Sequence, residues 1–160
     1  MFRGNIRIIA ICLTSLGLAT AVLAQQVCLP APRLLTVTPM GGQVGTTVEV
    51  TVTHQNSDGI RELLFSTPKI SAKPSLGADG KAVPNRFQVT IAPDAPVGVH
   101  DARLLTNLGV SAARTFLVGS LPEVSRAKEN HSVETAWGLT ANSICNAATS
   151  KRDVDYYSFK

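Results

Sequence analysis

The sequence predicts an all-β protein, its strands paired antiparallel in two facing layers. Three observations carry that expectation. Within residues 46–53, Thr-Thr-Val-Glu-Val-Thr-Val-Thr, the residues from Thr47 on alternate strictly between polar and apolar, the pattern of a strand with one buried and one wet face. Short apolar runs recur between clusters of Gly, Pro, Asn and Asp, the punctuation of turns. Beyond the first two dozen residues no amphipathic helical pattern is present, and the β-branched side chains that dominate the runs lose χ1 freedom in a helix.

Arg3 and Arg7 precede an apolar stretch from Ile8 to Ala24 that ends in Val-Leu-Ala. A basic start, an apolar middle and small residues at the end make a secretory signal peptide over residues 1–24, with cleavage expected between Ala24 and Gln25. The apolar stretch is shorter than the roughly 18 residues of a spanning helix, so no membrane association is expected once the leader is removed. The whole chain carries 15 basic and 11 acidic residues. Two of the basic residues belong to the leader, and the remaining weak, dispersed charge argues against nucleic acid, which calls for a clustered basic face. The expected location is the periplasm, the cell surface or the extracellular medium.

Residues 25–33, with Pro30 and Pro32, read as an extended lead-in. A first strand comes next over 34–38, with Leu35 and Val37 expected on one face, and Pro39 and Gly41-Gly42 turn the chain. The alternating run at 46–53 puts Val48, Val50 and Val52 on the core side. Strand character resumes over 60–66, where Ile60, Leu64 and Phe65 are apolar. A short strand at 70–72 between Pro68 and Pro74 suits a sheet edge, where a missing backbone donor does little harm. A loop is expected over 74–84. Residues 85–92 place Phe87, Val89 and Ile91 inward, and 93–119 form a hairpin with His100, Ala102, Leu104, Phe116 and Val118 inward. Roughly six or seven short strands of this kind describe an immunoglobulin-like antiparallel β-sandwich over residues 34–119.

The runs Pro39–Val52 and Ala95–Gly119 resemble the immunoglobulin-like IPT/TIG type of domain found in large secreted bacterial proteins. The resemblance rests on Pro39, Gly41, Gly42, Gly45, Thr46 and Thr47, then Pro96, Gly98, Asp101, Arg103, Gly109, Ser111, Phe116 and Val118. It departs at His100, where an aromatic residue is usual, and at His54-Gln55. Residues 120–130 are charged, opened by Pro122, and read as a linker. Residues 131–160, with Glu129 and Asn130 before them, resemble the beginning of a bacterial pre-peptidase C-terminal (PPC) type domain. Asn146-Ala147 stands at its turn, and Asp153-Val-Asp-Tyr-Tyr leads into its strand. On that resemblance the chain is a fragment of a longer protein, and residues 120–160 are expected to be disordered or loosely docked.

Candidate sites are sparse. Asp153 and Asp155 alternate on the expected last strand, where carboxylate oxygens of one face could hold calcium; otherwise they are a solvated pair, and no other cofactor is expected. Cys12 falls in the leader, which leaves Cys28 and Cys145 either to pair as a disulfide in an oxidising compartment or to remain thiols. His54, His100 and His131 lack metal-ligand spacing, and His100 is expected to hold a backbone carbonyl. Asp101 and Arg103 are expected as an exposed ion pair. No serine sits in a nucleophile motif, and no Gly-rich phosphate loop is present. The functional expectation is a non-enzymatic spacer, scaffold or adhesion module of a larger extracytoplasmic protein. Its partners would be other extracytoplasmic domains or proteins, or cell-surface polysaccharide. The alternatives are the accessory N-terminal region of a secreted hydrolase such as a peptidase, and a carbohydrate-binding module, though Trp137 lies outside the sandwich.

Overall fold

The computed structural model describes residues 30–149 and 152–159, and among these there is no helix. The leader, its Ala24/Gln25 junction and Cys28 lie outside the described residues. Two sheets face one another. In the first, β1 (Arg33–Thr38), β3 (Thr47–Gln55), β6 (Ala82–Ile91) and β5 (Ile70–Leu76) lie side by side in the order β1-β3-β6-β5, each pair antiparallel. In the second, β2 (Gly41–Gln43), β9 (Arg114–Gly119), β7 (Gly98–Thr106) and β4 (Glu62–Phe65) take the order β2-β9-β7-β4, and β8 (Gly109–Val110) pairs with β7. The first sheet has the order of an immunoglobulin-like sandwich's four-stranded layer.

The chain changes sheets between β1 and β2, at a cis Thr38–Pro39 bond, and β2 then runs parallel to β9. Close approach bears on both glycines of β2, and at Gly41 it is backbone that excludes a side chain. A Cβ on Gly41 would lie 2.2 Å from the Leu117 carbonyl oxygen, and one on Gly42 would lie 2.6 Å from Ile91 Cδ1. Beyond them, the Thr46 hydroxyl donates to the Gln43 carbonyl at 2.7 Å and the Thr46 carbonyl accepts from Ile91 N–H at 2.9 Å. The Gly-Gly and Gly-Thr-Thr runs thus join the two sheets at one corner.

Inward residues are those that alternation selects. Val50, Val52, Phe87, Val89 and Ile91 come from the first sheet, and Ala102, Leu104, Phe116 and Val118 from the second. At the centre Phe65 meets Phe116 edge to face, ring centroids 5.0 Å apart, a favoured aromatic geometry. Burial of such side chains, at about 1.5–3 kcal/mol each, holds the sheets together.

The strands depart from expectation in two places, at β1 and at the connection between β5 and β6. A bulge between Leu34 and Thr36 inserts one residue into β1, so Leu34 and Val37 are buried and Leu35 is turned aside, as a bulge re-aims side chains. In β4 it is Leu63 that enters the core. The expected loop over 74–84 contracts to a tight connection in which Gly77 N–H donates to the Lys81 carbonyl, and the strands on either side lengthen. Pro74 does lie on an edge strand, β5.

Residues after Gly119 are not loose. Strand β10 (Glu123–Ser125) pairs in parallel with β12 (Ile144–Asn146), and β11 (Trp137–Leu139) in parallel with β13 (Tyr157–Phe159). The expectation of disorder is therefore corrected for the described part of residues 120–160. The cause is a set of polar groups that find partners across the segment.

Candidate functional site

Three surfaces carry chemistry, and the sandwich positions each. The first is the outward face of the second sheet. Alternation that sends His100, Ala102 and Leu104 inward sends Val99, Asp101 and Arg103 outward. Val99 lies opposite Leu117 on β9, and the two are 69% and 38% exposed, with Val97 also exposed beside them. Along the same strand, Arg103 Nη2 donates to Asp101 Oδ2 at 3.1 Å, the exposed pair expected from the sequence. Exposed pairs of this sort contribute at most about 1 kcal/mol. An apolar strip beside an ion pair can be covered by another protein surface.

Two residues fix the shape of this face from below. His100 Nε2 bonds the Pro96 carbonyl at 2.7 Å, the carbonyl-holding role expected of it. Ser111 is buried, and its Oγ accepts from Leu104 N–H at 2.9 Å while donating to the Ala112 carbonyl. The Ser111 N–H donates in turn to the Leu104 carbonyl at 2.9 Å. The side chain thus replaces a missing ladder partner where the chain passes from β8 to β9, which is the physical content of the Gly-x-Ser run.

The second surface is the joint beyond the sandwich. Asn130, wholly buried, exchanges bonds with Tyr156: its Nδ2 donates to the Tyr156 carbonyl at 2.6 Å, and Tyr156 N–H donates to the Asn130 carbonyl at 2.8 Å. Arg126 Nη1 donates to Asn130 Oδ1 at 2.5 Å and to Asp155 Oδ1 at 2.6 Å, and its Nη2 donates to the Ala148 carbonyl. His131 Nδ1 lies 3.3 Å from the same Asp155 oxygen. Residues read as a linker thus form the core of the joint. Its signal in the sequence is the pair of Asn130 and Asp155 positions of the PPC-type resemblance; nothing in the sequence marks Arg126.

That geometry separates the calcium candidates. Strand β13 begins at Tyr157, so Asp153 and Asp155 precede it. The Asp155 side chain is turned in toward Arg126 while Asp153 is exposed. Among the described residues no group of three His, Cys, Asp or Glu side chains could hold a metal ion. The three imidazoles contact the Asn85 side chain, the Pro96 carbonyl and Asp155 respectively.

The third surface is a groove of about 740 Å³ between the sandwich and the joint. One wall is β1 and its continuation, Leu35 to Met40, with Ala113 to Thr115; the other is Ser125, Arg126 and Cys145 to Ala148. Cys145, one of the disulfide candidates, is half-buried there; Cys28 is outside the described residues. Elsewhere two carboxyls are held below the ordinary carboxylate range. Asp94 is lowered by a hydrogen bond from the Lys69 ammonium, and Glu134 by a backbone N–H and the Ser132 hydroxyl.

No protein-family model matches the chain, and no curated protein matches it. Among solved structures, it is similar to a crystal structure of a mutant SrpA adhesin from Streptococcus sanguinis, at 13% identity and a TM-score of 0.34, over 68% of this chain and 71% of that one.

Proposed function

We propose that this chain is an exported, non-enzymatic β-sandwich module that spaces and orients a neighbouring domain within a larger extracytoplasmic protein. One observation carries the reading: the sandwich is joined to the segment after Gly119 by a packed seam rather than a free tether. Ile144 Cδ1 lies 3.0 Å from the Cβ position of Gly119. From the sandwich, Gln43 Nε2 donates to the Ser120 carbonyl at 2.9 Å; within the segment, the Ile144 N–H donates to the Pro122 carbonyl at 2.9 Å and Asn146 Nδ2 to Glu123 Oε2 at 2.5 Å. A seam of this kind fixes direction, which a spacer supplies and a Gly/Ser tether does not. The finer family reading is an IPT/TIG-like sandwich with a PPC-like beginning after it. It is supported by the roles found for Gly41, Gly42, Thr46 and Ser111, and for Asn130 and Asp155. Export rests on the leader of residues 1–24.

A second reading, adhesion to another extracytoplasmic protein, is favoured by the exposed Val97, Val99 and Leu117 strip. The accessory region of a secreted hydrolase stays an alternative through the PPC-like segment alone.

Spin labels on cysteines placed at exposed Lys81 and Ser158, in a chain whose own cysteines are replaced by serine, test the spacer reading. Pulsed dipolar spectroscopy should return one narrow distance. A distribution as broad as that of a flexible tether would overturn it, and turnover of peptide or ester substrates by the isolated chain would overturn its non-enzymatic part.

A further inference from the structure

We infer that the outward face of the second sheet is a surface for self-association, on which a second copy of this chain packs face to face and antiparallel, about a two-fold axis lying across the strands at Ala102. Strand β7 sends Val99, Asp101, Arg103 and Leu105 to that face in turn. The stripe reads apolar, acidic, basic, apolar, so its reverse is its chemical complement. Under the axis Val99 meets the partner's Leu105, and Asp101 meets the partner's Arg103. A two-fold pair makes each of these contacts twice.

The neighbouring strands repeat the match. Residues directly opposite on paired strands share a face. Leu117 of β9 lies opposite Val99 and Val110 of β8 opposite Leu105, while β4 takes the other side of β7 through Glu62 opposite Leu105. Rotation about an axis across the strands keeps the β9 side on the β9 side, so Leu117 meets the partner's Val110. Val99, Val110 and Leu117 are 69%, 50% and 38% exposed. Facing sheets cross at about 30°, which over the ~10 Å from Ala102 to Val99 displaces the partner by about one strand spacing. Each apolar end is two strands wide, so the contact survives that displacement.

Charge complementarity names the occupant. Within one copy Arg103 Nη2 donates to Asp101 Oδ2 at 3.1 Å and Nη1 to the Ser111 carbonyl at 3.3 Å, yet the two side chains stay 44% and 50% exposed. A guanidinium has about five N–H donors and a carboxylate about four acceptor sites, so each group keeps capacity for its counterpart on the partner. A surface of one sign answers the acid or the base alone; a second copy answers both. Three strands ~4.8 Å apart and ~30 Å of β7 make a patch of about 430 Å² per copy, against roughly 800 Å² per partner in a standard interface, so the dimer is a weak one. The inference takes the strip that favours the adhesion reading and gives it a different occupant; the spacer reading does not depend on it.

Sedimentation equilibrium of the full chain, its cysteines replaced by serine, tests the surface. A reversible monomer–dimer equilibrium is expected, with a dissociation constant below about 1 mM. Asp101→Arg leaves two cations on the stripe and Arg103→Asp two anions, so each variant alone should dimerise about tenfold more weakly or worse. An equimolar mixture of the two should regain the original affinity as a heterodimer, identified by native mass spectrometry. Val99→Gln should weaken the dimer as well, and thermal unfolding should show the sandwich intact in all three variants. A chain that stays monomeric at about 1 mM would overturn the inference and leave the adhesion reading standing. A dimer indifferent to the three substitutions would overturn the choice of face, and charge variants that stay apart when mixed would overturn the antiparallel pairing.

Discussion

Arg126 and Asp155, 29 positions apart in sequence, meet at 2.6 Å with side chains only 12% and 6% exposed. A pair so far removed from water is held by mutual attraction and by the further bonds of the guanidinium to Asn130 and Ala148. Removing one partner strands the other, at a cost of roughly 3–5 kcal/mol. Arg126→Ala or Asp155→Ala is therefore expected to release residues 120–159 while the sandwich stays folded. Hydrogen exchange resolved by segment checks this: fast exchange at 130–149 with unchanged protection in β3, β6 and β7 is the expected result.

Ser111→Ala removes the oxygen that accepts the Leu104 N–H. A buried donor left without a partner costs about 1–3 kcal/mol, and urea unfolding of the sandwich should shift by that amount with an unchanged m-value. Ser111→Thr, which keeps the hydroxyl, should recover part of the loss.

His100→Leu deprives the Pro96 carbonyl of its partner. A net loss of about 0.5–1.5 kcal/mol is expected. His100→Tyr should lose less, provided the phenol reaches the same carbonyl. Thermal unfolding of the three proteins ranks them.

Phe116→Ala opens the centre of the core, where Phe65 loses its edge-to-face partner. The expected loss is ~3–5 kcal/mol, the largest within the sandwich, and it should appear in the main unfolding transition.

The Lys69 ammonium holds Asp94 below its ordinary value of 3.8. A lowered folded value means that the contribution is complete above 3.8 and disappears as pH falls through the folded value. Carbon-detected NMR titration should show the Asp94 midpoint below 3.8, returning to it in Lys69→Met. Both groups are well exposed, so the effect on unfolding should be slight.

The sandwich is legible in the sequence because its inner faces obey a period of two. Val50 and Val52, Phe87 and Val89, and Phe116 and Val118 all fall inward where alternation puts them, and Pro74 marks its strand as an edge. The burial of Leu34 is not legible, because a bulge leaves no mark in an apolar Leu-Leu pair and shifts which leucine is buried. The joint is hidden for another reason. Arg126 and Asn130 are polar residues whose burial depends on Asp155 and Tyr156, partners 29 and 26 positions on. A local window sees only solvated chain there. Cys145 is visible as a residue, but the groove it faces exists only once β12 has docked beside β10.

The parallel pairing of β2 with β9 has a consequence for tensile load. These strands stand near the two ends of the sandwich's chain, one shortly after its start and the other at its close. Pulling the ends apart drives β2 and β9 past each other along their length. The bonds between them, together with Leu117 N–H to the Met40 carbonyl and Val44 N–H to the Gly119 carbonyl, are then loaded side by side in shear and must yield together rather than unzip singly.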